Sequence, residues 1–168
     1  IYAHSRDYLR SSVKVLLDGG VKIKHGLYCE LTGNIPMQAG TSSSSAMITA
    51  WIKFLLGMFR DKRVDNPKEI AVFAHRAEIL KFNEAGGMMD QYASSFGGLM
   101  YFDIENNKIE QLPAELGGFV LGDSKEPKDT IGILRRVKNG VLDNVKSIKR
   151  KYPEFDIKTI SKEQAEKI

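Results

Sequence analysis

Pro36-Met37-Gln38-Ala39-Gly40-Thr41-Ser42-Ser43-Ser44-Ser45-Ala46 is the segment on which the reading of this chain turns. The residues before it, Thr32-Gly33-Asn34-Ile35, are rich in turn formers. After it, Met47, Ile48, Trp51, Ile52, Leu55 and Phe59 recur at helical spacing. The segment therefore leads from a turn into a helix over residues 43–59. The apolar band of that helix is wide, which predicts a central, buried element with Trp51 and Phe54 in the core. A glycine followed by small hydroxylated residues at a helix start has a specific physical use. Glycine allows close backbone approach, the first N–H groups of a helix have no intrahelical partner, and the helix dipole favours an anion there. Serine hydroxyls add oxygens that bond phosphate or Mg2+. Pro36, Gln38, Ala39, Gly40, Thr41, Ser42, Ser43, Ser44 and Ser45 are thus read as a phosphate cradle. The plainer alternative is a serine N-cap with extra turn residues. No Gly-Lys-Ser/Thr follows, so the loop is not a Walker A motif, and Gly-x-Ser-x-Gly is absent.

Working outward, residues 5–17 carry Tyr8, Leu9, Val13, Leu16 and Leu17 at helical spacing and stop at Gly19-Gly20. Residues 21–31 alternate Val21, Ile23, Leu27, Cys29 and Leu31 on one face, which predicts a strand. Asn66-Pro67 supplies an N-cap and a first-turn proline for a helix running to about residue 82. A short helix is expected between Gly86-Gly87 and Gly97-Gly98. Residues 99–104 and 108–112 read as strands joined by Asn106-Asn107 as a hairpin turn, and residues 119–121 as a further strand. A helix over residues 129–151, amphipathic through Leu134, Val137, Val141, Val145 and Ile148, ends before Pro153. The mix is α+β, with a domain boundary expected at Gly117-Gly118.

Composition narrows the classes. The 168 residues are 42% hydrophobic and 27% charged, as in ordinary globular chains, which excludes collagen-like and disordered readings. The one cysteine, Cys29, cannot form an internal disulfide, and no Cys/His spacing suggests zinc, so a reducing, cytoplasmic setting is expected. Apolar runs such as Phe54-Leu55-Leu56 are far too short to cross a bilayer, and no signal peptide is visible. The chain opens on Ile1 inside a helical pattern, which suggests a fragment or processed product. The net charge of +4 is uneven: residues 125–168 hold 12 Lys/Arg against 7 Asp/Glu. Acids interleave with these bases, which suits a solvated helix face. No aromatic-interleaved basic stripe supports a nucleic-acid-binding module.

Two carboxylates stand out. Glu78 lies on the helix that carries Ile70, Val72, Phe73, Ala77 and Leu80, where it could complete an oxygen-only Mg2+ site with Ser44. The alternative is a surface glutamate pairing with Arg76 or Lys81. Asp90 follows a glycine pair at a helix start, placed to orient or deprotonate a hydroxyl. The alternative is an aspartate stabilised by the helix dipole. His25 and His75 read as structural or surface residues.

With these residues in view, residues 36–46 resemble the Pro-x-x-x-Gly-Leu-x-Ser-Ser-Ala loop of the GHMP small-molecule kinases. That family includes galactokinases, homoserine kinases, mevalonate kinases and heptose-phosphate kinases. Thr41 stands where leucine is usual and Ser45 where the first alanine is usual. A second stretch, Ala74-His75-Arg76-Ala77-Glu78 followed by Gly86-Gly87-Met88-Met89-Asp90-Gln91, resembles the galactokinase Ala-Glu pair and Gly-x-Met-Asp-Gln segment. The likeness is clear over residues 21–103. It implies a GHMP kinase fold: a ribosomal protein S5 domain 2-like N-terminal part over residues 1–116, then from 117 to 168 the start of a ferredoxin-like C-terminal domain. It also implies ATP and Mg2+ as cofactors, a sugar as substrate, metal roles for Ser44 and Glu78, a catalytic role for Asp90, and substrate contacts from Gly87, Asp90 and Tyr92. Residues 123–130 resemble the opening of the family's C-terminal domain, where a Ser or Thr faces substrate. Neither the family's N-terminal motif, with a basic partner for the catalytic Asp, nor its glycine-rich C-terminal motif is present. A piece of this kind is not expected to catalyse alone. A heptose-phosphate or other small-molecule kinase, or a non-catalytic ligand-binding relative, is the alternative, and the presence of both Glu78 and Asp90 argues against the latter.

Overall fold

The computed structural model describes residues 4, 6–37, 39–114, 117–122 and 129–167. It forms two compact units, Ile1–Lys128 and Asp129–Ile168. The first unit contains α1 (Tyr8–Asp18), α2 (Ser43–Met58), a short 3-10 turn (Lys62–Asp65), α3 (Pro67–His75) running into a π-helical turn (Arg76–Leu80), α4 (Met89–Phe96), and the strands β1 (Met100–Asp103) and β2 (Lys108–Gln111). The second contains α5 (Thr130–Lys151) and α6 (Lys162–Ala165). No helix among the described residues is long and apolar enough to cross a membrane.

The local signals that place these helices are visible at their ends. Asp7 caps α1 by accepting from Arg10 N, and the chain leaves the helix at Gly19. Asn66 Oδ1 accepts from Lys68 N and Glu69 N at 3.1 and 3.2 Å, with Pro67 in the first turn of α3. Asp129 caps α5 and Tyr152 closes it, one residue before Pro153. The core forms where α1, α2 and α3 meet, with Leu16, Ile48, Ile52, Leu56, Ile70 and Phe73 at its centre.

Several expectations are corrected. Residues 21–31 keep the alternation of a strand, Val21 buried and Lys22, Lys24, Tyr28 and Glu30 exposed, yet form no ladder. The sheet among the described residues is the antiparallel β1–β2 hairpin, Met100 opposite Gln111 and Asp103 opposite Lys108, so the segment lacks a strand to pair with. Residues 119–121 are likewise irregular, with Val120 99% exposed. The α2 helix is not buried all round. Ile48, Ile52, Leu55 and Leu56 face the core, while Met47, Phe54 and Met58 are exposed, because its partners pack on one side only. Of the two expected core aromatics, Trp51 is partly buried against the core and donates to Leu9 O at 3.2 Å, whereas Phe54 stacks on the outside of it. On α1 the inward face includes Ser11 and Ser12 and excludes Leu17.

Candidate functional site

The loop before α2 has an unusual backbone. Gly40 has φ +76°, and Ser42 is also left-handed at φ 55°, ψ 34°. Thr41 Oγ1 donates to Pro36 O across the loop at 3.2 Å. Ser42 occupies the N-cap position, but its side chain caps nothing. The plain serine-cap reading therefore has no hydrogen bond to support it. Left-handed Ser42 is followed directly by helical Ser43, and a change of backbone hand at a helix start suits the reception of an anion. Pro36, Ala39 and Gly40 are exposed, Thr41, Ser42, Ser43 and Ser44 are half-buried, and Ser45 is buried. Gln38 lies outside the described residues, as do residues 123–128 of the segment expected to open a second domain.

Glu78 sits in the π turn. A regular helix that turns Ile70, Ala71, Phe73, Ala74 and Ala77 inward turns Glu78 inward as well, one turn beyond Ala74, while Ile79 points away and Lys81 comes round to the buried face. The wider turn, with Lys81 N bonded to Arg76 O at 3.0 Å, keeps Glu78 inside, brings Ile79 in and leaves Leu80 and Lys81 exposed. Ser11 Oγ of α1 donates to the backbone O of Ala77 at 2.7 Å and so ties this turn to the first helix. Glu78 is 4% exposed. The surface alternative is thereby set aside, and Lys81 pairs with Asp18 at 3.2 Å instead. Glu78 Oε2 accepts from Ser45 Oγ at 2.8 Å and from Gln91 Nε2 at 2.7 Å.

The third element is the start of α4. Gly86 presses on the π turn: a Cβ there would lie 2.6 Å from Ile79 Cδ1. Gly87 faces open space. Asp90 is exposed in the first turn, and the next residue, Gln91, is 1% exposed and reaches Glu78. Tyr92 is 2% exposed and stacks on Phe102, ring centroids 4.5 Å apart, and on Phe96 at 6.0 Å. Burial, then Glu69, raises its hydroxyl pKa. Its edge borders an open groove of about 260 Å³ with His75, Arg76 and Ile104. Half-buried His75 is held below the usual imidazole range by burial, with Glu78 pulling the other way.

The first turn of α2, the π turn and the first turn of α4 thus converge through Ser45, Glu78 and Gln91. Ser44 and Asp90 are the chain neighbours of two of these residues. The hydrogen bond to Glu78 comes from Ser45, not from Ser44. Among the described residues no group of three His, Cys, Asp or Glu could hold a metal ion. One buried carboxylate beside serine hydroxyls is a poor site for zinc. It suits Mg2+, which takes one or two carboxylates and completes its shell with phosphate and water oxygens. Gln91 Oε1 and Thr49 Oγ1, one helical turn beyond Ser45, are buried without a hydrogen-bond partner among the described residues, an arrangement that costs about 1–3 kcal/mol per group. Gln91, Ser11 and Thr49 carry no signal in the hydrophobic pattern. In the sequence Gln91 stands only as the last residue of the Gly-x-Met-Asp-Gln segment, with no role attached to it.

Comparison with known proteins gives a consistent set of matches. The family model for the GHMP kinases N terminal domain matches residues 7–98. A galactokinase of Lacticaseibacillus casei is 30% identical over 121 residues, covering 68% of this chain and 30% of the relative. A mevalonate kinase of Pyrococcus furiosus is 31% identical over 135 residues, covering 77% and 38%. One from Thermococcus gammatolerans is 29% identical over 147 residues, covering 84% and 42%. The chain spans about a third of the length of these relatives. No solved structure matches.

Proposed function

The chain belongs to the GHMP kinase family, and from that premise we propose that it is the ATP-binding part of a kinase that phosphorylates a sugar hydroxyl, in the manner of a galactokinase. The observation that carries this is buried Glu78, held by Ser45 and Gln91 beside a helix start that its N-cap side chain leaves uncapped. In this reading residues 1–116 are most of an N-terminal ATP-binding domain of ribosomal protein S5 domain 2-like type, and residues 117–168 open a ferredoxin-like C-terminal domain.

Phosphoryl transfer asks mainly for positioning and charge stabilisation. The loop at residues 36–45 cradles the ATP phosphates through the first-turn N–H groups of α2, with Gly40 allowing close approach. Ser44 and Glu78 would hold Mg2+, which when bound neutralises charge on the phosphate oxygens. Asp90, exposed at the start of α4, accepts the proton of the acceptor hydroxyl or holds that hydroxyl in line with the γ-phosphate. Gly87, with open space before it, leaves room for the acceptor. Tyr92 supports that side of the site from within its aromatic stack. The mevalonate kinase relatives, which cover more of the chain, favour a second reading in which the acceptor is another small alcohol; a heptose phosphate is a third.

The test is ADP release by the full-length protein across a panel of sugars, sugar phosphates and mevalonate, with Asp90→Asn beside the parent. The expected result is a loss of turnover of about 10²–10⁴-fold with ATP affinity kept. Turnover within a few-fold of the parent would reduce Asp90 to a helix-start residue. Phosphorylation of mevalonate alone would replace the sugar.

A further inference from the structure

Glu78 is held by one oxygen. Among the described residues its two hydrogen bonds both fall on Oε2, from Ser45 Oγ at 2.8 Å and Gln91 Nε2 at 2.7 Å, and Gln91 Nε2 also lies 3.4 Å from Ser45 Oγ. Ser45, Glu78 and Gln91 are 2%, 4% and 1% exposed, so water competes little for these bonds. A carboxylate only accepts, so Ser45 and Gln91 must both donate. The reversed amide would set Gln91 Oε1 against Glu78 Oε2. The three side chains come from three separate elements, so none of the contacts follows from local helix geometry.

We infer that Ser45 and Gln91 are positioning residues that pin Oε2 of Glu78 and leave Oε1 for a divalent cation. The inference rests on the reading of Glu78 as a metal ligand. Partners that orient a ligating carboxylate act through its direction and its order, and their removal typically lowers metal affinity about 10–100-fold. The clamp also couples parts of the site. Ser45 follows Ser44 in the loop and Gln91 follows Asp90 on α4, so the carboxylate, the loop and the helix bearing Asp90 share one buried network.

The decisive quantity is the factor by which Mg2+ tightens ATP binding, taken from nucleotide titrations of the full-length protein in Mg2+ and in EDTA. Ser45→Ala removes one clamp bond and places a strong helix former in α2, so it is expected to fold. The expected result is that this factor, a ratio in which any loss of cradle binding common to both media cancels, falls about tenfold or more. Gln91→Met should act in the same direction. Ser12→Ala is the control: it removes an equally buried hydroxyl, bonded to Tyr8 O at 2.7 Å in α1, and should leave the factor intact. A folded Ser45→Ala protein with the parent's Mg2+ factor overturns the inference, as does an equal loss in Ser12→Ala. If Mg2+ fails to tighten ATP in the parent itself, the metal role of Glu78 fails first and the positioning role falls with it.

Discussion

Replacing Glu78 by glutamine separates what this residue does for the fold from what it does for a ligand. The variant keeps the side chain's length and removes its charge. Its amide oxygen meets the same two donors, Ser45 Oγ and Gln91 Nε2, because an NH2 placed there would face the Gln91 NH2 donor to donor. Both bonds survive in neutral form. A bond to a charged group contributes about 1.5–3 kcal/mol and a neutral one about 0.5–1.5, so the pair loses about 2–3 kcal/mol together. Against this, the two groups bonded to Glu78 are neutral and the side chain is 4% exposed, so the variant sheds the burial of a charge, worth several kcal/mol. The balance leaves the ligand-free protein between unchanged and about 2 kcal/mol more stable. For a unit of this size that is a rise in midpoint of up to about 8 °C. The parent, by contrast, should gain about 2.7 kcal/mol from Mg2+ and ATP at a hundred times their dissociation constant, and the variant little of it. Thermal melts with and without ATP, in Mg2+ and in EDTA, should therefore reverse the order of the two proteins. A variant that melts many degrees lower without nucleotide would make Glu78 a structural anchor. One that keeps the full Mg2+-dependent rise would remove it from the metal site.

Two further outcomes follow from the backbone and from burial. Gly40→Val places a β-branched residue at φ +76°, where even an ordinary side chain costs about 1–2 kcal/mol, so nucleotide titration should give at least a tenfold weaker ATP affinity in a protein that still melts cooperatively. His75 has its folded pKa below the ordinary 6.5, mainly through burial, so between the two values the unfolded chain binds more protons. The stability linked to His75 is complete above about pH 6.5 and declines as pH falls through the folded value; urea midpoints at pH 7.5 and 5.5 should converge in His75→Gln.

The ends of the elements were legible because their causes are local. Asn66-Pro67 opens α3, Gly19 closes α1, and Asp129 and Tyr152-Pro153 bracket α5, each through caps and φ restrictions that span a few residues. The glycine and serine run before α2 marked the loop in the same way, whereas Glu78 and Asp90 stood out through their place in the second resembled stretch. Tertiary structure decided what depends on a distant partner. Alternation over residues 21–31 could not supply the second strand that a ladder needs. The π turn, secured from α1 by Ser11, brought Ile79 into the buried face and left Lys81 outside it, which a fixed helical period does not anticipate. Ser45, a departure from the usual loop residue, gained its meaning only when folding brought it 2.8 Å from a carboxylate 33 positions away. Periodicity records where apolar side chains recur. It carries no trace of a buried serine or glutamine whose place inside is justified by a hydrogen bond to another part of the chain.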